Sequence, residues 1–346
     1  MKPEKPNTGS TLCVVTGGAG FIGSHVVDQL VRKGFRVRVV DDLSVGRLEN
    51  IEKARTSGAV SFVRADVRDL GGLRPTFAGA DVVFHLAVQC LRLSLIDPTL
   101  VHEVNATGTL TALQAAREAG VRRFIYVSSS EVYGSARDTR AAIDEEHPLL
   151  PTTPYGASKA AGELYTEAFR RSYGLRTTVV RPFNSYGPRS HAAGPYGEVI
   201  PRFVARILAG EPPVIFGDGT QTRDFTYVED TALGIVSAAS DTLVGETVNV
   251  ARGREVSIAL LAETLIRICG ARDLRPVHVD PRPGDVHRHL GATAKAERLM
   301  GFRAHIDLEE GLSRYMAWVR KRGIEVTARE ASSPNWQAIP TRAAGE

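Results

Sequence analysis

Short apolar runs recur along the first half of the chain, each followed by a glycine-rich or polar turn and then a stretch of helical period. Thr11–Thr16 (Thr-Leu-Cys-Val-Val-Thr) is continuously apolar between its threonines, the pattern of a strand buried on both faces in a parallel sheet. Phe35–Val40, Ala59–Arg64, Asp81–Leu86, Val121–Ser128 and Thr177–Val180 repeat it. Ser24–Lys33, Asn105–Glu118 and Ser158–Tyr173 read as helices between them. Strands and helices alternating through short loops predict an α/β fold, a doubly wound parallel sheet with ligands at its strand C-termini. Beyond it, Glu198–Phe203 opens a helix with proline near its first turn, where a missing N–H is harmless. Pro213–Gly219 reads as a short strand and turn, and Ala294–Met300 and Leu308–Lys321 as closing helices. Residues 1–10 read as a loose polar arm. The tail from Thr327 has no clear period and reads as flexible, with Trp336 an isolated exception.

Composition narrows the class. A chain of 346 residues accommodates one large or two ordinary domains, and 43% hydrophobic with 24% charged residues is ordinary for a soluble globular protein. The net charge of +4 is small and the arginines are dispersed, which lends no support to a nucleic-acid or membrane partner. Three scattered cysteines (Cys13, Cys90 and Cys269) form neither a disulfide framework nor a CxxC metal site, as suits a reducing cytoplasm. No apolar run of about 18 residues and no signal-peptide pattern appears. The expectation is a soluble cytoplasmic protein without a metal.

Two constellations carry chemistry. After the first strand comes Gly17-Gly18-Ala19-Gly20-Phe21-Ile22-Gly23, with G-x-G-x-x-G at Gly18, Gly20 and Gly23 and a second register from Gly17. Glycines there permit a tight turn and let backbone N–H groups approach a pyrophosphate. The confirming context is present: a strand before, a helix after, and Asp41 at the end of the second strand. Asp41 would bond a ribose diol and repel a 2′-phosphate, with Asp42 adding to the repulsion, so NAD is expected over NADP. Asp66 and Val67 would flank the adenine. The second constellation is Tyr155 and Lys159, four residues apart at the start of a helix and so on one face. An ammonium beside a phenol would lower its pKa from about 10 and make it a usable base. Ser128-Ser129-Ser130-Glu131, after the fifth strand, is either a plain turn or a source of hydroxyls for a substrate or for Tyr155.

Thr16–Gly23, His85-Leu86-Ala87, Ser128–Gly134 and Tyr155–Lys159 together resemble the extended short-chain dehydrogenase/reductases, and within them the nucleotide-sugar epimerase/dehydratase group, from about residue 11 to about residue 320. The resemblance implies a Rossmann domain binding NAD over 11–182, with a return segment near 224–250. A smaller α/β domain over 183–223 and 251–322 would grip a UDP-sugar. It makes Tyr155 the catalytic base, Lys159 the holder of the nicotinamide ribose and Ser129 the hydroxyl of the triad. Its cofactor set adds Leu43, Ser44 and Gly46, then Leu86, Ala87 and Asn105, and finally Ser128 and Pro182. For the sugar nucleotide it implies Asn184 and Val199, with Phe216 either stacked on the base or a core aromatic. Arg189, Arg223 and Arg282 would clamp the diphosphate, and Asp285 would bond a ribose hydroxyl. Asn105–Glu118 and Ser158–Tyr173 would form the interface of a homodimer.

The shared first step in that group is oxidation at sugar C4. A 4-epimerase returns hydride to the other face; a 4,6-dehydratase needs an Asp-Glu pair where this chain has Ser130-Glu131, so dehydration ranks low. Glu131 matches the functional glutamate of UDP-glucuronate decarboxylases, the runner-up, and is otherwise a hydrogen-bonding residue. Val88–Ser94 resembles the Val-Arg-x-Ser loop of uronate 4-epimerases, shortened by one residue. That places Arg92 and Ser94 near a sugar carboxylate, unless Arg92 is simply solvated, with Gln89 a further substrate-binding candidate. UDP-glucuronate is therefore favoured over UDP-glucose and UDP-GlcNAc, and a non-catalytic NAD sensor is disfavoured because Ser129, Tyr155 and Lys159 are all intact.

Overall fold

The computed structural model describes residues 11–135, 141–192, 194–281 and 286–322. The N-terminal arm, the tail from Thr327 with Trp336, and Arg282 and Asp285 lie outside them.

The apolar runs form β1 (Leu12–Thr16), β2 (Arg36–Asp41), β3 (Val60–Arg64), β4 (Val82–His85), β5 (Arg123–Val127) and β6 (Thr177–Pro182). Six smaller strands follow before the end of the sheet region and beyond it: β7 (Ser185–Tyr186), β8 (Val214–Phe216), β9 (Thr222–Asp224), β10 (Thr226–Tyr227), β11 (Thr247–Val250) and β12 (Glu255–Ser257). Two more, β13 (Val277–Val279) and β14 (Arg288–His289), complete the set among the described residues. Seven strands make one parallel sheet in the order β11-β6-β5-β4-β1-β2-β3, with Val15 opposite Val39 on one side and Phe84 on the other. The chain moves outward from β1 to β3, then crosses back to β4. The strand order therefore reverses at β1, and α/β sheets open a ligand crevice at that point.

Successive side chains on each strand go to opposite faces. Val15, Val39, Phe84 and Ile125 pack under α1 (Phe21–Arg32) and a helix at Val228–Ser237. Val14, Val40, Val83 and Phe124 pack against helices at Leu70–Phe77, Gly108–Glu118 and Pro154–Tyr173. A separate core joins helices at Val199–Leu208, Ile258–Cys269 and Leu308–Arg322 through Phe203, Leu261, Leu265, Leu312 and Met316. The expected second unit differs in one respect: Ala296, Leu299 and Phe302 pack on the large sheet rather than in that separate core. Their apolar face matches Val248 and Val250 of β11, so the chain returns to the first layer before it ends.

Two helices differ from their expected bounds. The helix expected from Asn105 begins at Pro98 and passes through a π segment, Glu103–Thr107, before α geometry resumes at Gly108. The one expected from Ser158 starts at Pro154, where the Thr153 hydroxyl accepts from the Gly156 N–H at 3.1 Å and Pro154 supplies a fixed φ. Tyr155 thus lies in the first helical turn. Gly174, at φ 71°, ends the helix.

Candidate active site

A cleft of about 720 Å³ runs across the C-terminal ends of the central strands. Its floor begins at the glycine turn. Gly17 takes φ 66°, and a Cβ there would lie 2.8 Å from the Ala87 backbone; at Gly23 it would lie 2.1 Å from the Gly17 carbonyl oxygen. Neither position tolerates a side chain, and although the Gly17, Ala19 and Gly20 N–H groups are taken by Val40, Asp41 and Gly17, the first turn of α1 at Phe21 and Ile22 brings helix N-terminal N–H groups to the cleft. That is the surface a pyrophosphate requires.

Gly17, Gly20, Phe21, Ile22 and Gly23 line this end with Asp41, Asp42, Ser44 and Gly46. Asp66, Val67, Leu86, Ala87 and Pro182 continue the wall. The Asp41 carboxylate is buried and accepts the Ala19 and Leu43 N–H groups, each at 2.9 Å. Burial raises its pKa, opposed by those two hydrogen bonds. Leu43 does not line the cleft: at φ 62° it turns its N–H back to Asp41. Asp66 is paired with Arg68 at 2.6 Å, which holds its carboxyl below the usual range. Asn105 is also off the cleft. The π segment turns its amide inward, where Oδ1 accepts from Gln89 N at 2.8 Å and Nδ2 donates to the Ser158 hydroxyl at 3.0 Å. It fixes Gln89 instead of meeting a ligand directly. His85, from the His-Leu-Ala stretch, is a buried tie between the Thr16 and Thr109 hydroxyls at 2.7 and 3.1 Å, and burial lowers it to about 3.

At the centre, Ser128, Ser129, Ser130, Glu131, Tyr155 and Lys159 all line the cleft. Tyr155 and Ser129 share a side-chain hydrogen bond. The expected electrostatics differ here. Burial raises the Tyr155 phenol, the Ser129 bond opposes that, and Glu131 adds to it. The Lys159 ammonium instead donates to the Val127 carbonyl at 2.7 Å and lies 4.4 Å from the centre of the Tyr126 ring. Burial lowers Lys159 to about 7, and only Glu163 opposes the shift. Face-sharing at i, i+4 brought both residues to one wall; it did not make the ammonium the phenol's partner.

The far end carries Gln89, Arg92, Asn184, Val199, Phe216 and Arg223. The Arg92 guanidinium donates to the Tyr196 carbonyl at 2.9 Å, and the Tyr196 hydroxyl donates to Gln89 Oε1 at 2.7 Å. Asn184 Oδ1 is buried without a partner among the described residues, an acceptor suited to a ligand donor. Arg223 donates to the Thr222 and Val286 carbonyls at 2.8 and 2.6 Å. Two expected members are elsewhere. Arg189, at φ 71°, turns away to pair with Asp28 of α1 at 2.8 Å, so it is not part of a clamp here. Ser94 is the buried last residue of a short helix, Leu91–Ser94, where its hydroxyl donates to the Leu91 carbonyl at 2.6 Å.

His191, Tyr196, Glu198, Arg202 and Arg206 also line this end and were not anticipated. Burial raises Glu198 to about 8, with Arg92 opposing. Arg202 and Arg206 are one helical turn apart on Val199–Leu208, a same-face spacing that could have found them. His191 stands in an irregular loop and Tyr196 ends a single 3-10 turn, Gly194–Tyr196, too short to show a period.

The model of the NAD dependent epimerase/dehydratase family matches residues 13–251. UDP-glucose 4-epimerase of Mycolicibacterium smegmatis is 38% identical over 313 residues, covering 89% of this chain and 98% of that protein. The crystal structure of Thermotoga maritima UDP-glucose 4-epimerase with UDP-glucose superposes with TM-score 0.85 at 36% identity, over 91% of this chain and all of that one (100%). The structure of UDP-glucuronic acid 4-epimerase from Bacillus cereus, in complex with UDP-glucuronic acid and NAD, gives 0.84 at 28% identity, over 90% and 100% of the two chains. A seven-stranded Rossmann sheet, a glycine turn that excludes side chains and a family match over most of the chain have one reading. The chain belongs to the NAD-dependent epimerase/dehydratase family.

Proposed function

We propose that this protein is a UDP-sugar 4-epimerase that works through a transient 4-keto sugar and prefers UDP-glucuronate. The observation that carries the reading is the Ser129–Tyr155 pair in the cleft, at the end of the wall that begins with the glycine turn. In this reading Gly17–Gly23 hold the pyrophosphate of NAD, Asp41 a ribose diol, Asp66 and Val67 the adenine, and Lys159 the nicotinamide ribose. Bound there, NAD would supply the hydride acceptor and donor for sugar C4, and the positive charge of its ring would favour the phenolate of Tyr155.

Tyr155 takes the proton of the sugar 4-hydroxyl and gives it back after the keto sugar has turned its other face. Ser129 holds the phenol and orders the hydroxyl for that transfer. The net reaction moves no atom to solvent. Asn184, Phe216 and Arg223 hold the nucleoside diphosphate, with Arg282 and Asp285 added by the resemblance. Support for a uronate comes from Arg92 and Arg202 at the far end, whose charges suit a sugar carboxylate. Glu131 beside Tyr155 favours one second reading, decarboxylation of the same substrate.

Incubation of the protein with UDP-glucuronate, UDP-glucose or UDP-GlcNAc and NAD, read by mass and NMR, separates these. An isobaric C4 epimer, formed fastest from UDP-glucuronate, is expected; loss of CO₂ would transfer the assignment to decarboxylation. Arg92→Ala is expected to lower kcat/KM for UDP-glucuronate about tenfold more than for UDP-glucose, roughly one charge-assisted hydrogen bond. Equal losses on the two sugars would remove Arg92 from sugar selection.

A further inference from the structure

We infer that His289 is a positioning residue that ties the Ser129–Glu131 turn to the strand carrying Arg223, through a hydrogen bond from Nε2–H to the Ser130 carbonyl. The inference rests on the reading that Ser129 and Glu131 act on the sugar. His289 is fully buried on β14, paired with Arg223 on the adjacent β9. Its Nε2 lies 3.2 Å from the Ser130 carbonyl oxygen, 159 positions away in sequence. Its ring packs on Phe183, with centroids 5.1 Å apart.

A carbonyl oxygen only accepts, so Nε2 carries the proton and Nδ1 the lone pair. Nδ1 is buried and has no partner among the described residues. That tautomer is the cheaper one, since the alternative would point an N–H at nothing and leave Nε2 facing a carbonyl with no proton between them. Burial and the neighbouring Arg223 keep the imidazole neutral, lowering it to about 4. The Ser130 carbonyl also accepts the Tyr133 N–H at 3.1 Å, which closes the turn. The Ser129 hydroxyl accepts the Glu131 N–H at 3.2 Å, so the two cleft-lining side chains are set by this one turn. His289 is the tie that fixes the turn against the sheet bearing Arg223, on which the diphosphate is proposed to rest.

A bond of this kind acts on how the sugar meets Tyr155, rather than on how tightly the nucleotide is held. His289→Phe keeps the ring contact with Phe183 and removes the donor; His289→Gln keeps a donor near the Nε2 position. Expected for His289→Phe is a kcat about tenfold below wild type with KM within about twofold, and for His289→Gln substantial recovery of kcat. Melting temperatures separate this from a folding defect, and equal kcat losses in the two variants at matched stability would overturn the tie. Long-range ¹H–¹⁵N NMR of the imidazole gives a readout independent of turnover: Nε2 protonated and Nδ1 bare at pH 7. The opposite tautomer would overturn the inference. An inactive wild type showing the expected tautomer would fault the proposed reaction and leave the tie standing.

Discussion

Lys159 and Glu163 occupy successive turns of the helix at Pro154–Tyr173, and the protein encloses both. Glu163 accepts two bonds from Arg181, at 2.6 and 2.9 Å, and one from the Ser128 hydroxyl at 2.5 Å. Losing its charge would leave Arg181 buried and uncompensated, so Glu163→Gln is expected to cost about 3–5 kcal/mol of stability, measured by denaturant unfolding. The same change should lower the Lys159 pKa further, since Glu163 is what opposes its descent from 10.5 to about 7. Between those values the unfolded chain binds a proton that the folded one does not. Stability should therefore rise with pH from about 7 to 10.5, and the full cost of burying the ammonium is felt below 7. In Glu163→Gln the rise should begin at lower pH; an unchanged onset would show that the carboxylate does not govern Lys159. Sequence spacing placed Tyr155 and Lys159 on one wall because helix period alone determines that. It misjudged which neighbour each would meet, because Val127 and Tyr126 belong to a strand more than thirty positions away. Arg189 was misjudged for a related reason: its left-handed backbone, which turns it to Asp28, leaves no mark in the residue pattern.

Elements were more legible than contacts. Six of the strands were readable as apolar runs bounded by polar turns, and β11 was missed as a separate run because Asn249 interrupts its four residues, Thr247–Val250. The π segment around Asn105 has no sequence period of its own. The short strands of the sugar-nucleotide end were read mainly through motifs, and their stability depends on one buried acid. Asp224 on β9 accepts the N–H groups of Arg252 and Gly253, each at 2.9 Å, and of Gly291 at 3.3 Å. It thereby joins β9 to the loop before β12 and to the residues after β14. Asp224→Ala would orphan these donors and is expected to destabilise by about 2–4 kcal/mol. The damage should concentrate where Arg223 and His289 lie, so the KM for the UDP-sugar should rise before the fold melts. A variant that lost stability with an unchanged KM would confine Asp224 to a folding role. Burial raises Asp224 to about 7, from 3.8, so its charged form opposes folding as pH rises across that interval.

At the scale of the whole molecule, the cofactor end and the sugar end meet over one cleft, while the outer side of the Pro154–Tyr173 helix faces away from it. Ala157, Ala161, Leu164 and Ala168 recur there at helical spacing, Leu164 is 67% exposed, and Tyr165 stands beside it at 38%. Small residues flanking a large apolar one allow close helix approach, and a continuous stripe of this kind suits a second copy of the chain, related by a two-fold axis. The expectation is a homodimer that buries about 1,200–2,000 Å² in total. Light scattering of the wild type should give twice the 37.4 kDa of the chain, and Leu164→Glu should give the single-chain mass by placing two like charges at the contact. Tyr155 and Lys159 are on the first turns of that helix and Leu164 is further along its opposite side, so the monomeric variant should still bind NAD. A monomeric wild type at micromolar concentration would assign the stripe no partner of its own kind. Loss of NAD binding in a folded Leu164→Glu monomer would show instead that pairing orders the helix carrying the base, and would make the dimer part of the catalytic unit.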